Sequence, residues 1–299
     1  MKREDGGPGR SVKKEYEIHK RVLRSLANFK SPKIHVTECR ALITRENNYW
    51  WDEQLTRFPE GYSPCNVLVS ERIAPFTKAV REKLIDTYCP PSSRELIKSN
   101  LADTDCLIRV YLGRRLYNSD YSRPKKYFSL RNFPLHADQM EGLGDLDMAG
   151  YARAMADSLA MMHWLAKVDA NDVEFVIASP RPGDVFEATF TSVTLEQHAL
   201  WILDFDCCNS MAMDETGVDQ AVAAFFRNDP YYPRPGSENN HDQELWKIFR
   251  ARFLETSSEM FRDDVYLAHL PRLLMDKIEE EGATRRARQK ARDERDAPS

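Results

Sequence analysis

Two stretches decide how this chain is read: 168-VDANDVEFVIA-178 and 199-ALWILDFD-206. Each joins an apolar run of strand length to carboxylates at one end. Asp169, Asp172 and Glu174 open the first, and Asp204 and Asp206 close the second. If the two runs pair as an antiparallel hairpin, the start of one meets the end of the other. Five carboxylates would then share one end of the hairpin. Crowded carboxylates repel and persist where a metal, a cationic substrate or a shared proton offsets the repulsion. Asp and Asn are also ordinary turn formers, so 169-DAND-172 taken alone reads as a turn. Two such clusters, each fixed to an apolar strand, favour a functional site.

Working outward, 147–168 is the strongest helix in the sequence, starting from Asp147. Met148, Tyr151, Met155, Leu159, Met162 and Leu165 recur at helical spacing and predict one buried stripe. His163 near its end is read as packing or capping rather than as a base. After the acidic run, 185-VFEATFTSV-193 alternates like a strand. Helices are predicted at 217–228, 241–261 and 271–281. Upstream, 12–26 has helical periodicity, 76–89 is a helix closed by Pro90 and Pro91, and 33–38, 66–73 and 106–113 read as strands. Strands dominate the first half and helices the second, which predicts an α+β protein.

The chain has 299 residues, 42% hydrophobic and 30% charged, enough for a sizeable core. Its net charge of −4 excludes a basic field over the whole molecule, so nucleic acid would need a local patch. The start, MKREDGGPGR, lacks the apolar core of a signal peptide, and no run reaches membrane-span length. A soluble, cytoplasmic protein without a membrane partner is expected. Cys39, Cys65, Cys89, Cys106, Cys207 and Cys208 form no C-x-x-C pair, so they read as free thiols rather than zinc ligands. No metal or cofactor is assigned. Residues 1–11 are expected to be disordered, 12–282 to form one domain (small lobe about 12–75, large lobe about 76–282), and 283–299 to be a charged, flexible tail.

The order of long helix, Asp169, hairpin and 204-DFD-206 resembles the catalytic end of the protein-kinase and aminoglycoside-phosphotransferase fold. The resemblance implies a two-lobe scaffold with a truncated, β-rich small lobe and a larger helical lobe. It puts Asp169 at the catalytic aspartate and 204–206 at the second metal site. The chain departs from that pattern in two places. Glu174 stands five residues after Asp169 where the fold has Asn, and the helix at 12–26 leaves no room before it for the glycine-rich strands and the ATP-pairing lysine. An ATP-using kinase is therefore not expected.

A narrower similarity rests on 71-ERIAPF-76, 106-CLIRVYLGRR-115, 127-YFSLRNFPLHADQM-140, 151-YARAMADSLAMMHW-164, 168-VDANDVEFV-176, 199-ALWILDFD-206 and 225-FFRNDPYYPRP-235. Over roughly residues 65–260 the chain resembles a fungal family, long labelled unknown-function or zinc-finger, that includes arginine-containing cyclodipeptide synthases. The resemblance implies partners, arginyl-tRNA and a second aminoacyl-tRNA, whose esters supply the driving force for a diketopiperazine without ATP. Such chemistry needs positioning, a base for the attacking ammonium and a carboxylate hold on guanidinium. Asp169, Asp172, Glu174 and Asp204 are the catalytic candidates. Asp172, Glu174 and Asp206 are the substrate-binding candidates.

No serine elbow announces a nucleophile. Ser179 and Cys207 lie near the acidic segments in sequence, and direct amine attack stays open. For tRNA, the candidates are Arg109, Arg114, Arg115, Lys125, Lys126 and Arg131, interleaved with tyrosines and Phe128 in a pattern suited to a single-stranded acceptor end. A solvated face is the competing reading of this segment. The tail basics Arg285, Arg286, Arg288, Lys290 and Arg292 are a second candidate for tRNA, but with acids interspersed among them a solvated face is the favoured reading. A kinase-like small-molecule phosphotransferase and an inactive kinase-like binding module are the alternatives to a synthase.

Overall fold

The computed structural model describes residues 1–4, 7, 10–29, 33–116 and 128–296. It is a mixed α+β fold with two sheets. The smaller sheet has the order β1 (Lys2–Arg3), β4 (Val67–Ser70), β3 (Cys39–Ile43), all antiparallel. Helix α1 (Val12–Ala27) packs on β3 and β4, turning Val12, Glu15, Ile18, His19 and Val22 inward. Ser11 caps its first turn, accepting from the Lys14 amide at 3.4 Å.

The larger sheet orders β2 (His35–Val36), β9 (Glu196–Leu203), β7 (Glu174–Ala178), β5 (Ile108–Tyr111) and β6 (Phe133–His136), with β8 (Phe190–Ser192) added to β9. The predicted hairpin is present: β7 and β9 pair antiparallel, with Glu174 opposite Leu203 and Ala178 opposite Ala199. Both strands are central, and Phe175–Ala178 and His198–Ile202 are buried, which explains their continuous apolar runs. β5 runs antiparallel to β7, while β6 and β2 are parallel to their neighbours.

Helices α2 (Asn48–Gln54), α3 (Lys78–Tyr88), α4 (Arg94–Ser99) and α5 (Ala137–Leu143) precede the long helix α6 (Met148–Ala160), which continues through a π turn at Met161–Leu165. Helices α7 (Glu215–Arg227), α8 (Asn240–Met260) and α9 (Leu270–Asp296) complete the chain. The expected single stripe on 147–168 understates the burial. Of Gly150–Ala160 only Arg153 escapes it, whereas Leu165 is exposed. Two neighbours cover the helix. On one side the Tyr151 ring meets Phe190 and His198. On the other, Asp157 accepts from Arg252 (2.7 Å) and Thr256 (2.6 Å) of α8.

Two expectations about the ends of the chain differ from the structure. Lys2–Arg3 form a strand, because their backbone pairs with Val67 and Leu68, so the start of the 1–11 segment is ordered. The chain after 282 continues α9 to Asp296, held near its middle by Arg286 on the Pro235 carbonyl. Across the expected lobe boundary near residue 75, His35–Val36 belong to the larger sheet and one core runs from Ile18 to Ile278. The run at 185–193 is only partly strand, a short 3-10 turn at Phe186–Ala188 preceding β8. Among the described residues, no helix is long and apolar enough to cross a membrane.

Candidate functional site

The register that sets Glu174 opposite Leu203 places Glu174 beside Asp204 at one end of the larger sheet. The chain makes sharp turns there. Lys167, Ala170, Asp172 and Asp204 all have left-handed backbones, with φ of 53°, 52°, 61° and 64°. None is glycine, so each costs about 1–2 kcal/mol. Strain of this kind gathers where the surrounding structure fixes an otherwise unfavourable geometry, most often at functional sites.

The centre of the cluster is a residue that sequence reasoning did not assign. Lys2 Nζ lies 2.6 Å from Asp204 Oδ1, 3.1 Å from Asp206 Oδ2 and 3.1 Å from Glu15 Oε2. Burial disfavours the ammonium, but the hydrogen bond and charge of Asp204, with Glu15 and Asp206, outweigh it and raise the lysine's pKa. Glu15 is 3% exposed, and burial raises its carboxyl despite Lys2. Asp206 is held below the usual carboxylate range: burial pushes it up, but a hydrogen bond from Cys207 and the charges of Lys2 and Arg10 prevail. The sequence leaves no room before α1 for an ATP-pairing lysine, and Lys2 stands there as the ion-pair partner of Glu15, Asp204 and Asp206. The legible signal was Glu15, an acid at a buried position of α1, three residues after Val12 and seven before Val22.

Glu174 faces a second cation. Arg109 of β5 binds it directly and reaches Asp229 at 3.5 Å. Burial raises the Glu174 carboxyl, and Arg109 opposes that rise. Asp172 is exposed. Its amide is anchored by Asn228 Oδ1 at 2.5 Å, whereas its carboxylate is within 4.8 Å of ligand atoms of Asp206 and Cys207.

Asp169 behaves differently from the other four. It is 3% exposed, and its oxygens accept from the Asn209 amide (2.8 Å), Asn209 Nδ2 (3.1 Å), Gln220 Nε2 (2.8 Å) and the Asn171 amide (3.2 Å). Its lone pairs are consumed in joining the 168–172 turn to the 207–210 turn, beside the isolated bridge Val168–Ser210. Asp169→Ala would remove the shared acceptor of these four donors, leaving the Asn171 and Asn209 amides without it while Asn209 Nδ2 and Gln220 Nε2 keep the Cys207 and Ser210 carbonyls, and should lower stability by about 1–3 kcal/mol. Urea unfolding at neutral pH measures this, and a parental midpoint would mean that Asp169 does not hold the turns together.

The remaining candidates divide plainly. His163 lies on the π turn, fully buried, and donates from Nδ1 to the Val168 carbonyl at 2.8 Å; burial lowers its pKa to about 4. It positions the acidic turn and stays neutral. Burial, with Asp206 beside it, raises Cys207 to about 12, so the thiol is not poised as a nucleophile. Ser179 follows the far end of β7 and donates to the Pro75 carbonyl at 2.8 Å, away from the carboxylates. Of the basic candidates, Arg109 and Arg115 are taken up in ion pairs, Arg115 with Glu141 and Asp242. Arg114 is exposed, Arg131 lines the cleft described next, and Lys125 and Lys126 lie outside the described residues.

Between the two sheets runs a cleft of about 320 Å³. Leu68, Ile73, Pro75, Leu107 and Leu203 supply apolar walls, and Lys2, Glu15 and Asp204 form its charged end. The cluster therefore opens onto a space that can take a small apolar or aromatic group next to charge.

A family model described as a zinc finger protein matches residues 200–265. No curated protein matches, and no solved structure does. The matched segment runs from the end of β9 through α7 and α8, so it includes Asp204 and Asp206. It carries no finger-like ligand set among the described residues. Its cysteines are Cys207 and Cys208, the latter buried with its thiol on the Asn171 carbonyl, and among the described residues the one ligand-like grouping joins Asp206 and Cys207 of this segment to Asp172 outside it. A structural zinc site needs four converging Cys or His ligands.

Proposed function

We propose that the chain is an aminoacyl-tRNA-dependent cyclodipeptide synthase that joins arginine to a second aminoacyl group. The observation that carries this reading is the pair of cations already held by the site. Arg109 presents a guanidinium to Glu174 and Asp229, and Lys2 presents an ammonium to Asp204, Asp206 and Glu15. These are the two cationic groups that an arginyl ester would bring, its side chain and its α-amine. The exposed Asp172 adds a carboxylate at the same place.

In this reading one α-ammonium gives its proton to a carboxylate, with Glu174 as the base. The freed amine attacks the ester carbonyl of the second aminoacyl-tRNA. An N–C bond forms and the ester C–O bond breaks; the attacking nitrogen's second proton goes to the departing tRNA hydroxyl, and Glu174 gives up the first to solvent. The remaining amine then attacks the other ester, closes the ring and releases the second tRNA. The esters supply the driving force, and the protein supplies proximity and charge.

The Lys2 geometry also favours a second reading. A strand lysine reaching both a helix glutamate and an aspartate after a strand is how kinase-like phosphotransferases organise nucleotide phosphates and metal. This supports a kinase-like scaffold for the domain. Against phosphoryl transfer by the usual arrangement stand Glu174 bound to Arg109 where the metal-binding Asn would be, and Asp169 with its lone pairs occupied.

Mass spectrometry of a bacterium expressing the chain, against an empty-vector control, separates the readings. A new arginine-containing cyclic dipeptide, formed in lysate without added ATP once tRNA is charged and lost on RNase treatment, is the expected result. Soluble protein that yields no such product with charged fungal tRNA, and that binds ATP with magnesium, would replace this reading with the phosphotransferase.

A further inference from the structure

Beyond Tyr111, β5 leaves the acidic cluster and is fastened to the segment 229–235. Leu112 donates to the Tyr231 carbonyl at 3.1 Å and Gly113 to the Pro230 carbonyl at 2.9 Å. Glycine is required at 113, where a Cβ would come within 2.2 Å of the Tyr232 oxygen. On the far side of this junction lies a groove of about 660 Å³ between residues 112–115, 234–239 and helix α9. Five arginines line it: Arg114, Arg115, Arg234, Arg285 and Arg286.

The acids lining the groove are Glu238 and Asp242, and Asp242 is bound by Arg115. Arg285 pairs with Glu281 one turn back. Arg114, Arg234 and Arg286 have no carboxylate at ion-pair distance among the described residues. Arg234 donates instead to the carbonyls of Phe225 (2.7 Å) and Asn228 (3.2 Å). Its guanidinium lies 5.2 Å from the Phe226 ring centre, and that of Arg285 lies 4.7 Å from the same ring. Two like charges thus share one aromatic ring. Burial, with Arg285 adding to it and Tyr232 opposing it, lowers Arg234 to about 10. Arg286 donates to the Pro235 carbonyl beside Gly236, where a Cβ would overlap the guanidinium.

Crowded guanidinia with so few acids call for an anion, and their planar forks match phosphate. The row continues along α9. Arg285, Arg288 and Arg292 are exposed at steps of three and four residues, hence on one face and about 5.4 Å apart per turn. Repeated cations suit a repeated anion better than a single phosphate. The groove is also linked to the acidic cluster. Arg109 and Arg114 are separated by at most about 18 Å of chain, and the same 229–235 segment carries Asp229 at one end and Arg234 near the other.

We propose that this arginine groove binds the phosphodiester backbone of RNA, and so holds a tRNA whose aminoacyl end reaches the acidic cluster. The proposal rests on the synthase reading for the identity of the RNA. It keeps Arg114 of the 109–131 candidates and joins it to the C-terminal helix in one surface.

Fluorescence anisotropy with labelled, deacylated tRNA tests it, using the full chain over a series of salt concentrations. Arg114→Ala/Arg285→Ala/Arg286→Ala should bind at least tenfold more weakly at low salt. Its log–log salt slope should be shallower by about 2, at roughly 0.7–0.9 per lost phosphate contact. Because Arg286 also touches backbone, a second variant with two exposed changes, Arg114→Glu/Arg288→Glu, should show the same loss with an unaltered melt. Parental binding by both variants, or no tRNA binding by the wild type at low salt, overturns the groove. Loss of affinity for inorganic phosphate alone, with tRNA binding intact, overturns it in favour of a small-anion site. The synthase reading is judged separately by product. Cyclic dipeptide formed by variants that still bind tRNA leaves that reading standing while the groove falls. A wild type that binds tRNA through the groove but makes no product keeps the groove and removes the synthase.

Discussion

On the proposed synthase reading, Glu174→Gln is expected to fold like the parent and to turn over at least tenfold more slowly. The amide is isosteric and keeps an oxygen for Arg109, but it cannot accept a proton at neutral pH. A positioned general base is commonly worth about 10²–10⁴ in rate. Glu174 suits that role because burial raises its carboxyl toward the range of an amine's proton, while Arg109 keeps it oriented. Steady-state formation of the cyclic product with saturating aminoacyl-tRNA measures the effect, and a thermal melt checks the fold. Near-parental turnover in a folded Glu174→Gln variant would remove Glu174 as the base and leave Asp172 to be tested in the same way.

The second large effect is on stability at acid pH. Burial lowers His163 to about 4, against 6.5 for the exposed side chain. Between these values the unfolded chain binds a proton that the folded one refuses, so stability is full above pH 6.5 and falls as the pH drops toward 4. For His163 the loss is about 3 kcal/mol. His19, His35 and His198 are lowered by burial as well and act in the same direction. Urea unfolding midpoints from pH 7.5 to 4.5 should therefore decline steadily below 6.5. His163→Asn keeps a donor for the Val168 carbonyl and does not titrate. It should start less stable at pH 7.5 and decline less steeply. Identical slopes for the two proteins would show that His163 is not buried neutral.

The parts of the molecule that were legible are those governed by local pattern. The 175–178 and 199–203 runs are apolar without interruption because both strands are covered on both faces, and their pairing puts Glu174 and Asp204 together as the sequence suggests. Distant partners were not legible. Nothing near Lys2 in sequence marks it as the counter-ion of Asp204, and the glycines and charges around it imitate a solvated end. Arg109 and Arg115 have the spacing of a nucleic-acid patch, yet each is neutralised by acids far along the chain. Arg285 and Arg286 sit in a charge run that reads as solvated, and only the fold brings them to Arg114 and Arg234. Asp169 has the position of a catalytic residue by resemblance, and only its four donors reveal a joining role.

The contact between Lys2 and the two aspartates joins residues 202 and 204 apart in sequence. Closing so long a loop costs entropy before any local contact compensates for it, and contacts of this span form slowly. The acidic cluster is therefore complete only when the first strand, α1 and the end of β9 have all docked. A nick anywhere between residues 3 and 204 that lets the pieces separate would unmake it, even where each piece kept its helices. Appearance of activity during refolding should then coincide with the last, slowest phase rather than with the early gain of helix.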